Sequence, residues 1–530
     1  MTASGTPAAR GGGAVVALLF LLAALPILLV RYPPVMDMPN HLARIWLLAG
    51  GLEDPALGAM YRADWSQAAT NVGVDAVSVL LARVLPLPVV ATLLLLLAVL
   101  GPALAGAALH RRVFGHWSPW VAIFLVTAWS TTAVAGFVSF QISLAAGLLA
   151  AALFSDRLTR PWGASMFLIH LLLAALLLVI HVFGLLIYVA AVAGLALGPG
   201  FPLAGGVGKF AAKVGRIVLL GIVAAMPVAV LFLFAPHPPG GETGVLWPDL
   251  PYMLNPGRIA KTLASPFITY DYRADGLFLL VAALAVVAAL AAPGRRVHGG
   301  LALAAAAVGS GAVWMPLAIG DASWLQQRFA VMAALLFFAA VAPGLGKPAW
   351  RRIVFGLVVL AALGRIGWIG AVWRERERDA EDVFAVARAL PRGAALLVVA
   401  QETPEAEQRS VGRYLQGGVW DPELAYRHLP ALLVAERRVF LPTLFTVPGQ
   451  HPLTVRPAWR SRSVSSSAIP VPAALGTGDP KDPYVRHWRR DFDYLLLLGA
   501  DQPAARPLGE RGLVPVARRG FAALYRIRRG

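Results

Sequence analysis

The segment RYPPVMDMPNHLAR, residues 31 to 44, follows an apolar run from Ala14 to Val30 that contains no charge. An acid placed where such a run ends lies at the level of lipid head groups, within reach of a lipid substrate. Pro33, Pro34 and Pro39 fix φ on both sides of Asp37, so its carboxylate is expected to be held in one place. A general base has to be held in that way. His41 and Arg44 follow three residues apart, on one face of the helix that must begin there. A second reading makes Asp37 or Asn40 a helix cap and Arg44 a phosphate-level anchor. Residue types alone leave both readings open.

Three further sites carry residues able to do chemistry. In TYDYRADG, Asp271, Tyr272, Arg273 and Asp275 offer two acids four residues apart with neighbouring tyrosines. Oxygen ligands of this kind suit a divalent cation or a sugar, and the same tract reads equally as the solvated start of a helix. Arg328, in GDASWLQQRFA, begins an apolar run, where its planar fork would meet a phosphate or simply reach up to head groups. His181, in VIHVFG, lies between two apolar runs and either touches substrate or packs. Trp324, Trp247 and Tyr252 would stack on a sugar or form an interfacial aromatic belt. Gly136-Phe137 and Ser139-Phe140-Gln141 make a very short turn in which Gln141 reads as structural. There is no P-loop, no G-x-S-x-G and no H-E-x-x-H, which argues against ATP-driven transport, serine hydrolysis and zinc proteolysis. With no cysteine, disulfides and thiolate chemistry are excluded.

These residues need a scaffold, and composition says which kind. The chain has 530 residues, 58% hydrophobic and 14% charged, with many apolar runs of bilayer length. It reads as a polytopic α-helical membrane protein with about eleven spans, near residues 13–31, 88–109, 118–136, 139–155, 162–180, 183–199, 216–235, 276–293, 300–317, 328–343 and 352–372. The net charge of +18 would otherwise suggest nucleic acid, but its distribution is topological. With the N-terminus cytoplasmic, the inner loops hold Arg111, Arg112, Arg157, Arg160, Lys209, Lys213, Arg216, Arg295, Arg296, Lys347, Arg351 and Arg352, with Asp156 as their one acid. The outer loops hold Asp37, Asp75, Glu242, Asp271, Asp275 and Asp321 among others. This separation of signs follows the positive-inside rule and leaves no case for a nucleic-acid partner. Outer loops are expected at 31–87, with an interfacial helix in NVGVDAVSVLLARVLPLP, and at 236–275, where no regular structure is evident. Residues 375–530 read as a separate small α/β domain on the outer side. GAALLVVA, DYLLLLG and FAALYRIRR suit strands there, and EDVFAVARAL and LAYRHLPALLVAERR suit helices.

A first span with an acid just after it, interfacial helices, many further spans and a soluble outer C-terminal domain together resemble the GT-C superfamily of integral-membrane glycosyltransferases. The likeness is nearest to bacterial relatives of the protein O-mannosyltransferase and aminoarabinose transferase group. It covers most of the chain as architecture, and its local motif is short. Family members carry an acidic pair or a D-x-D-like arrangement in the first outer loop, and here Asp37 matches one acid while the second is replaced by Met38 or missing altogether. The resemblance implies transfer of a sugar from a polyprenyl-phosphate carrier to an envelope acceptor on the periplasmic side of a bacterial inner membrane. It makes Asp37 the general base and Arg328, with Arg44, the phosphate partner, with membrane lipid around the site and a divalent cation as the one candidate cofactor. A flippase for lipid-linked saccharides and a noncatalytic envelope scaffold are the rival readings.

Overall fold

The computed structural model describes residues 7–528 except 69, 159–162, 202–206, 235–243, 321, 345, 402–410, 420–422, 465–468, 478–482, 503–507 and 509–511. Arg160, Glu242 and Asp321, which enter the charge argument, lie outside the described residues. The chain is a polytopic helical bundle with a small sheet-containing region at its C-terminal end. The helices are α1 (Pro7–Leu29), α2 (Met38–Leu48), α3 (Gly73–Ala82), α4 (Leu87–Phe114), α5 (Val138–Leu158), α6 (Ala164–Ile180), α7 (Val182–Leu197), α8 (Val207–Phe234), α9 (Tyr272–Ala291), α10 (Gly299–Trp314), α11 (Leu325–Ala340) and α12 (Pro348–Ala387). Among the described residues, α4, α8, α9 and α12 are each long and apolar enough to cross a bilayer alone, and Gly13–Leu29 of α1, Val138–Phe154 of α5 and the helices α3, α6, α7, α10 and α11 are shorter apolar stretches. Leu18, Leu21, Leu25 and Leu28 of α1, like Val218, Ile222 and Val230 of α8, stay exposed on the bundle surface, as side chains that face lipid do.

The expected helical span over 118–136 is corrected. Ser118 accepts from Trp120 N and starts a nine-residue 3-10 stretch, Pro119–Thr127, followed by the single turn Thr131–Val134. At ~2.0 Å per residue a 3-10 path rises faster than an α-helix, so few residues carry the chain a long way between α4 and α5. Trp120 to Thr127 are all buried, which fits the rule that non-α backbone at membrane depth is tolerated where protein surrounds it. Hydropathy counts apolar residues and is blind to the hydrogen-bond pattern they adopt. The second outer loop also carries more structure than its composition suggests. Asp249 and Asn255 cap short helices at Leu250–Met253 and Pro256–Ala264, each with a proline in the first turn.

At the C-terminal end, the strands are β1 (Tyr61–Ala63), β2 (Leu396–Ala400), β3 (Leu453–Val455), β4 (Tyr494–Leu498), β5 (Leu513–Arg519) and β6 (Ala522–Ile527). The four-stranded sheet runs β5-β6-β4-β2, with β2 and β4 parallel from Leu396 opposite Tyr494 to Ala400 opposite Leu498. The parallel pair β2 and β4 are continuous, buried apolar runs. The boundary expected near residue 375 falls inside α12, which continues unbroken to Ala387. The stretch LAYRHLPALLVAERR forms only the short helix Leu432–Arg437 after a 3-10 turn, since Pro430 removes an interior N–H. The tail is also stitched to the first loop. Strand β1 pairs antiparallel with β3, Tyr61 Oη donates to Leu441 O at 3.0 Å, and Tyr426 Oη donates to Tyr32 O at 2.5 Å.

Candidate active site

Asp37 is fixed by backbone contacts that its prolines alone do not supply. After α1 the chain turns at Pro33, whose carbonyl accepts from Val35 N at 2.8 Å. Tyr270 Oη donates to Pro34 O at 2.7 Å and itself accepts from Trp373 Nε1 at 3.0 Å. Met36 N and Asp37 N donate to Val134 O and Ala135 O, each at 3.0 Å. Gly136 makes this approach feasible. Its φ is +85°, and a Cβ there would lie 2.7 Å from Asp37 N and 2.9 Å from Met38 N, a position only glycine can occupy. Asp37 is the residue preceding α2, yet its side chain caps no N–H of that helix. The capping reading therefore fails, and the carboxylate is left for other work.

That carboxylate faces a cavity of about 180 Å³ lined by Asp37, His41, His181, Arg328, Phe445 and His451, among others. The fold thus brings together four residues from the sequence reading, drawn from α2, the α6–α7 junction and α11. The Asp37 side chain keeps 13% exposure. Burial pushes its carboxyl up to about 7, Arg427 opposes the shift, Glu423 reinforces it, and Arg328 and Arg44 oppose it more weakly.

Arg328 has its guanidinium carbon 4.2 Å from the Phe137 ring centroid and 5.2 Å from that of Phe140, and its Nε donates to Ser323 O at 3.3 Å. Among the described residues it has no carboxylate within ion-pair distance. Beside it stands His181, whose Nδ1 accepts from Phe183 N at 3.3 Å. Its Nε2 lies 3.4 Å from Arg328 Nη1, a group that can only donate, so the two contacts call for opposite tautomers of the neutral ring. Arg328 presents its donors at this wall of the cavity, where an anion would be held.

His41 and His451 each accept at Nδ1. Arg44 Nη2 donates to His41 Nδ1 at 2.9 Å, and Val447 N donates to His451 Nδ1 at 3.2 Å. Burial holds both rings well below the ordinary histidine range, so both stay neutral.

The other expected site residues are placed elsewhere. Arg44 is fully buried and gives its fork to Asp75 of α3, with Nε to Oδ2 at 2.9 Å and Nη2 to Oδ1 at 2.8 Å. It is a structural cation, and the phosphate role implied for it is corrected. Asp271 caps α9, accepting from Arg273 N and Ala274 N at 2.9 and 2.8 Å. Asp275 is buried in an ion pair with Arg365 of α12 and accepts from Thr269 N at 2.5 Å. Asp275 has both oxygens committed and Asp271 spends Oδ1 on its cap, so the pair is engaged in holding the start of α9. Among the described residues no group of three or more His, Asp or Glu is arranged to hold a metal ion. Tyr272 Oη accepts from Gly417 N at 3.3 Å, and Arg273 is exposed outside the cavity. Trp324 is buried in the left-handed conformation with its ring edge-on to Phe137, so it offers no free face to a sugar. Trp247 is exposed and Tyr252 lies under Arg258. Gln141 donates to Ser130 Oγ and Thr132 Oγ1, holding the turn next to Asp37.

Sequence reasoning missed Asp75, Glu423, Arg427, His428, Phe445 and His451. Asp75 carried a usable signal, an acid inside an otherwise apolar interfacial helix, which is costly unless paired. The tail residues carried none, since nothing local to RHLP or GQHP points to a residue 400 positions away.

No protein-family model matches the chain, and no curated protein matches it. Among solved structures, it is similar to the crystal structure of ArnT from Cupriavidus metallidurans bound to undecaprenyl phosphate, at 13% identity over 97% of each chain with a TM-score of 0.43.

Proposed function

We propose that this chain is a membrane glycosyltransferase of the GT-C type. It would move a sugar from a polyprenyl-phosphate carrier to an envelope acceptor, lipid, glycan or protein, at the periplasmic face of a bacterial inner membrane, with the N-terminus cytoplasmic. The observation that carries the reading is a single cavity holding a carboxyl pushed up to about 7 and a guanidinium without a carboxylate partner among the described residues. One group suits proton removal near neutral pH and the other suits a leaving phosphate.

In this reading the acceptor hydroxyl or amine lies against Asp37. Asp37 takes its proton as the acceptor atom bonds to the anomeric carbon, while the bond from that carbon to the phosphate oxygen breaks. Arg328, with His181 beside it, receives the charge on the departing lipid phosphate. Direct displacement inverts the anomeric centre and forms no covalent intermediate, so one positioned acid is sufficient and Met38 need not be an acid. On the opposite side of α2 lies an apolar cavity of about 260 Å³ lined by Ile27, Leu28, Met38, Leu42, Ala91 and Leu95, among others, a suitable wall for a prenyl chain.

The test is transfer of labelled sugar from a panel of polyprenyl-phosphate donors by the purified chain in lipid nanodiscs. Transfer by the wild type that collapses in Asp37→Asn supports the reading. No transfer by the wild type, with donor movement across the bilayer in proteoliposomes, would put a flippase in its place; absence of both would favour the scaffold.

A further inference from the structure

His428 stands beside the proposed base and has no other visible task. Its side chain has no solvent exposure, and among the described residues neither ring nitrogen has a hydrogen-bond partner. Its Nε2 lies 3.5 Å from Asp37 Oδ1, a few tenths of an ångström beyond a good hydrogen bond. Its ring packs edge-on against Phe445, with centroids 5.3 Å apart, and Phe445 in turn touches His41 and His451. His41 and His451 each have Nδ1 committed as an acceptor. His428 differs in that no contact selects its tautomer. Leaving both nitrogens of a buried imidazole unsatisfied costs free energy, a cost that pairing with Asp37 would offset.

We infer that His428 is a positioning residue for Asp37, brought beside its carboxylate by the tail so that the base is complete only when the tail is docked on α2. The inference rests on the reading of Asp37 as base. With Asp37 ionised, the tautomer bearing H on Nε2 donates to Oδ1 and steadies the carboxylate. That hydrogen bond is strongest to the ionised carboxylate, so it favours the form of Asp37 that can take the acceptor's proton. The imidazole stays neutral throughout, because burial, Arg427 and His41 all hold its protonation well below the ordinary range. The remaining groups that face the pair are Glu423 and Arg427 from the tail, Arg44 from α2, Arg328 from α11 and His181 from the α6–α7 junction.

The experiment uses the full chain in nanodiscs with His428→Phe, which keeps the buried ring and loses both nitrogens, and His428→Gln, which keeps an N–H donor. The first readout needs no turnover: the protonated carboxyl band of Asp37, isolated as the infrared difference between each protein and its Asp37→Asn counterpart, is followed against pH. In His428→Phe the band should persist about one pH unit higher than in the wild type, and in His428→Gln it should return toward wild type. The second readout is the pH–rate profile, whose rising limb should move by the same amount in His428→Phe, giving a roughly fivefold lower kcat at pH 7 with an unchanged KM for the donor. A carboxyl band that titrates at one pH in wild type and His428→Phe overturns the inference. A band that shifts in a protein showing no transfer upholds the Asp37–His428 contact and overturns the transferase reading instead.

Discussion

Replacing Asp37 by Asn should make the protein more stable at neutral pH while abolishing its proposed activity. Burial moves the Asp37 carboxyl from an ordinary 3.8 to about 7. At ~1.36 kcal/mol per pH unit, ionising it in the folded chain costs about 4 kcal/mol. The sign follows from which state releases its proton first. Below pH 3.8 the group is neutral folded and unfolded, and nothing is lost. Between 3.8 and about 7 the unfolded chain ionises while the folded one does not, so stability falls as pH rises. Above about 7 both states are ionised and the cost stays constant. Asparagine never ionises, so the advantage of Asp37→Asn over wild type should grow from nothing near pH 4 to about 4 kcal/mol at pH 8. For a chain of this length that corresponds to roughly 4 °C in the melting midpoint. Melting curves of both proteins in nanodiscs from pH 4 to 9 measure the difference directly, and midpoints that run parallel across the range refute the burial argument. The same titration sets the activity profile: transfer should rise about tenfold per pH unit up to about 7 and then level, and Asp37→Asn should lose roughly 10²- to 10⁴-fold.

Three other perturbations follow from the geometry. Gly136→Ala puts a Cβ 2.7 Å from Asp37 N at a φ of +85°, so it should destabilise by about 2 kcal/mol or more and cut transfer about 100-fold or more by shifting the base; melting and kcat at saturating donor measure the two effects. Arg44→Met leaves Asp75 buried without its cation and should cost about 3–5 kcal/mol, most of it recovered in the double variant Arg44→Met with Asp75→Leu, as melting would show. Arg328→Gln removes a cation that pairs with no acid among the described residues, so the melting midpoint should hold or rise while the donor KM increases roughly 10- to 100-fold. Arg328→Lys should recover only part of that affinity, because an ammonium lacks the planar fork.

The parts of the site that were legible in the sequence are those governed by neighbours in the chain. Pro33, Pro34 and Pro39 announce a constrained turn around Asp37, and His181 and Arg328 stand at breaks between apolar runs, where a membrane protein keeps its chemistry. The parts that were not legible depend on partners far away. Arg44 looked like a phosphate ligand until Asp75 was seen to occupy its fork, and Asp275 looked like a metal ligand until Arg365, 90 residues later, was seen to pair with it. Trp324 has the residue type of a sugar platform, but burial removes its face.

From the sequence alone follow a polytopic helical chain, the near positions of most apolar helices, the sheet-forming runs of the tail and the placement of Asp37 just after the first apolar helix, because hydropathy, periodicity and proline geometry act over a few residues. Only the tertiary structure decided that the tail closes over Asp37, that Asp37, His181, Arg328, His428 and His451 share one neighbourhood, and that the carboxyl is poised near neutrality. Desolvation and Coulomb interactions depend on what lies within a few ångströms in space, and for Asp37 those neighbours are contributed by segments spread over more than 400 positions of the chain.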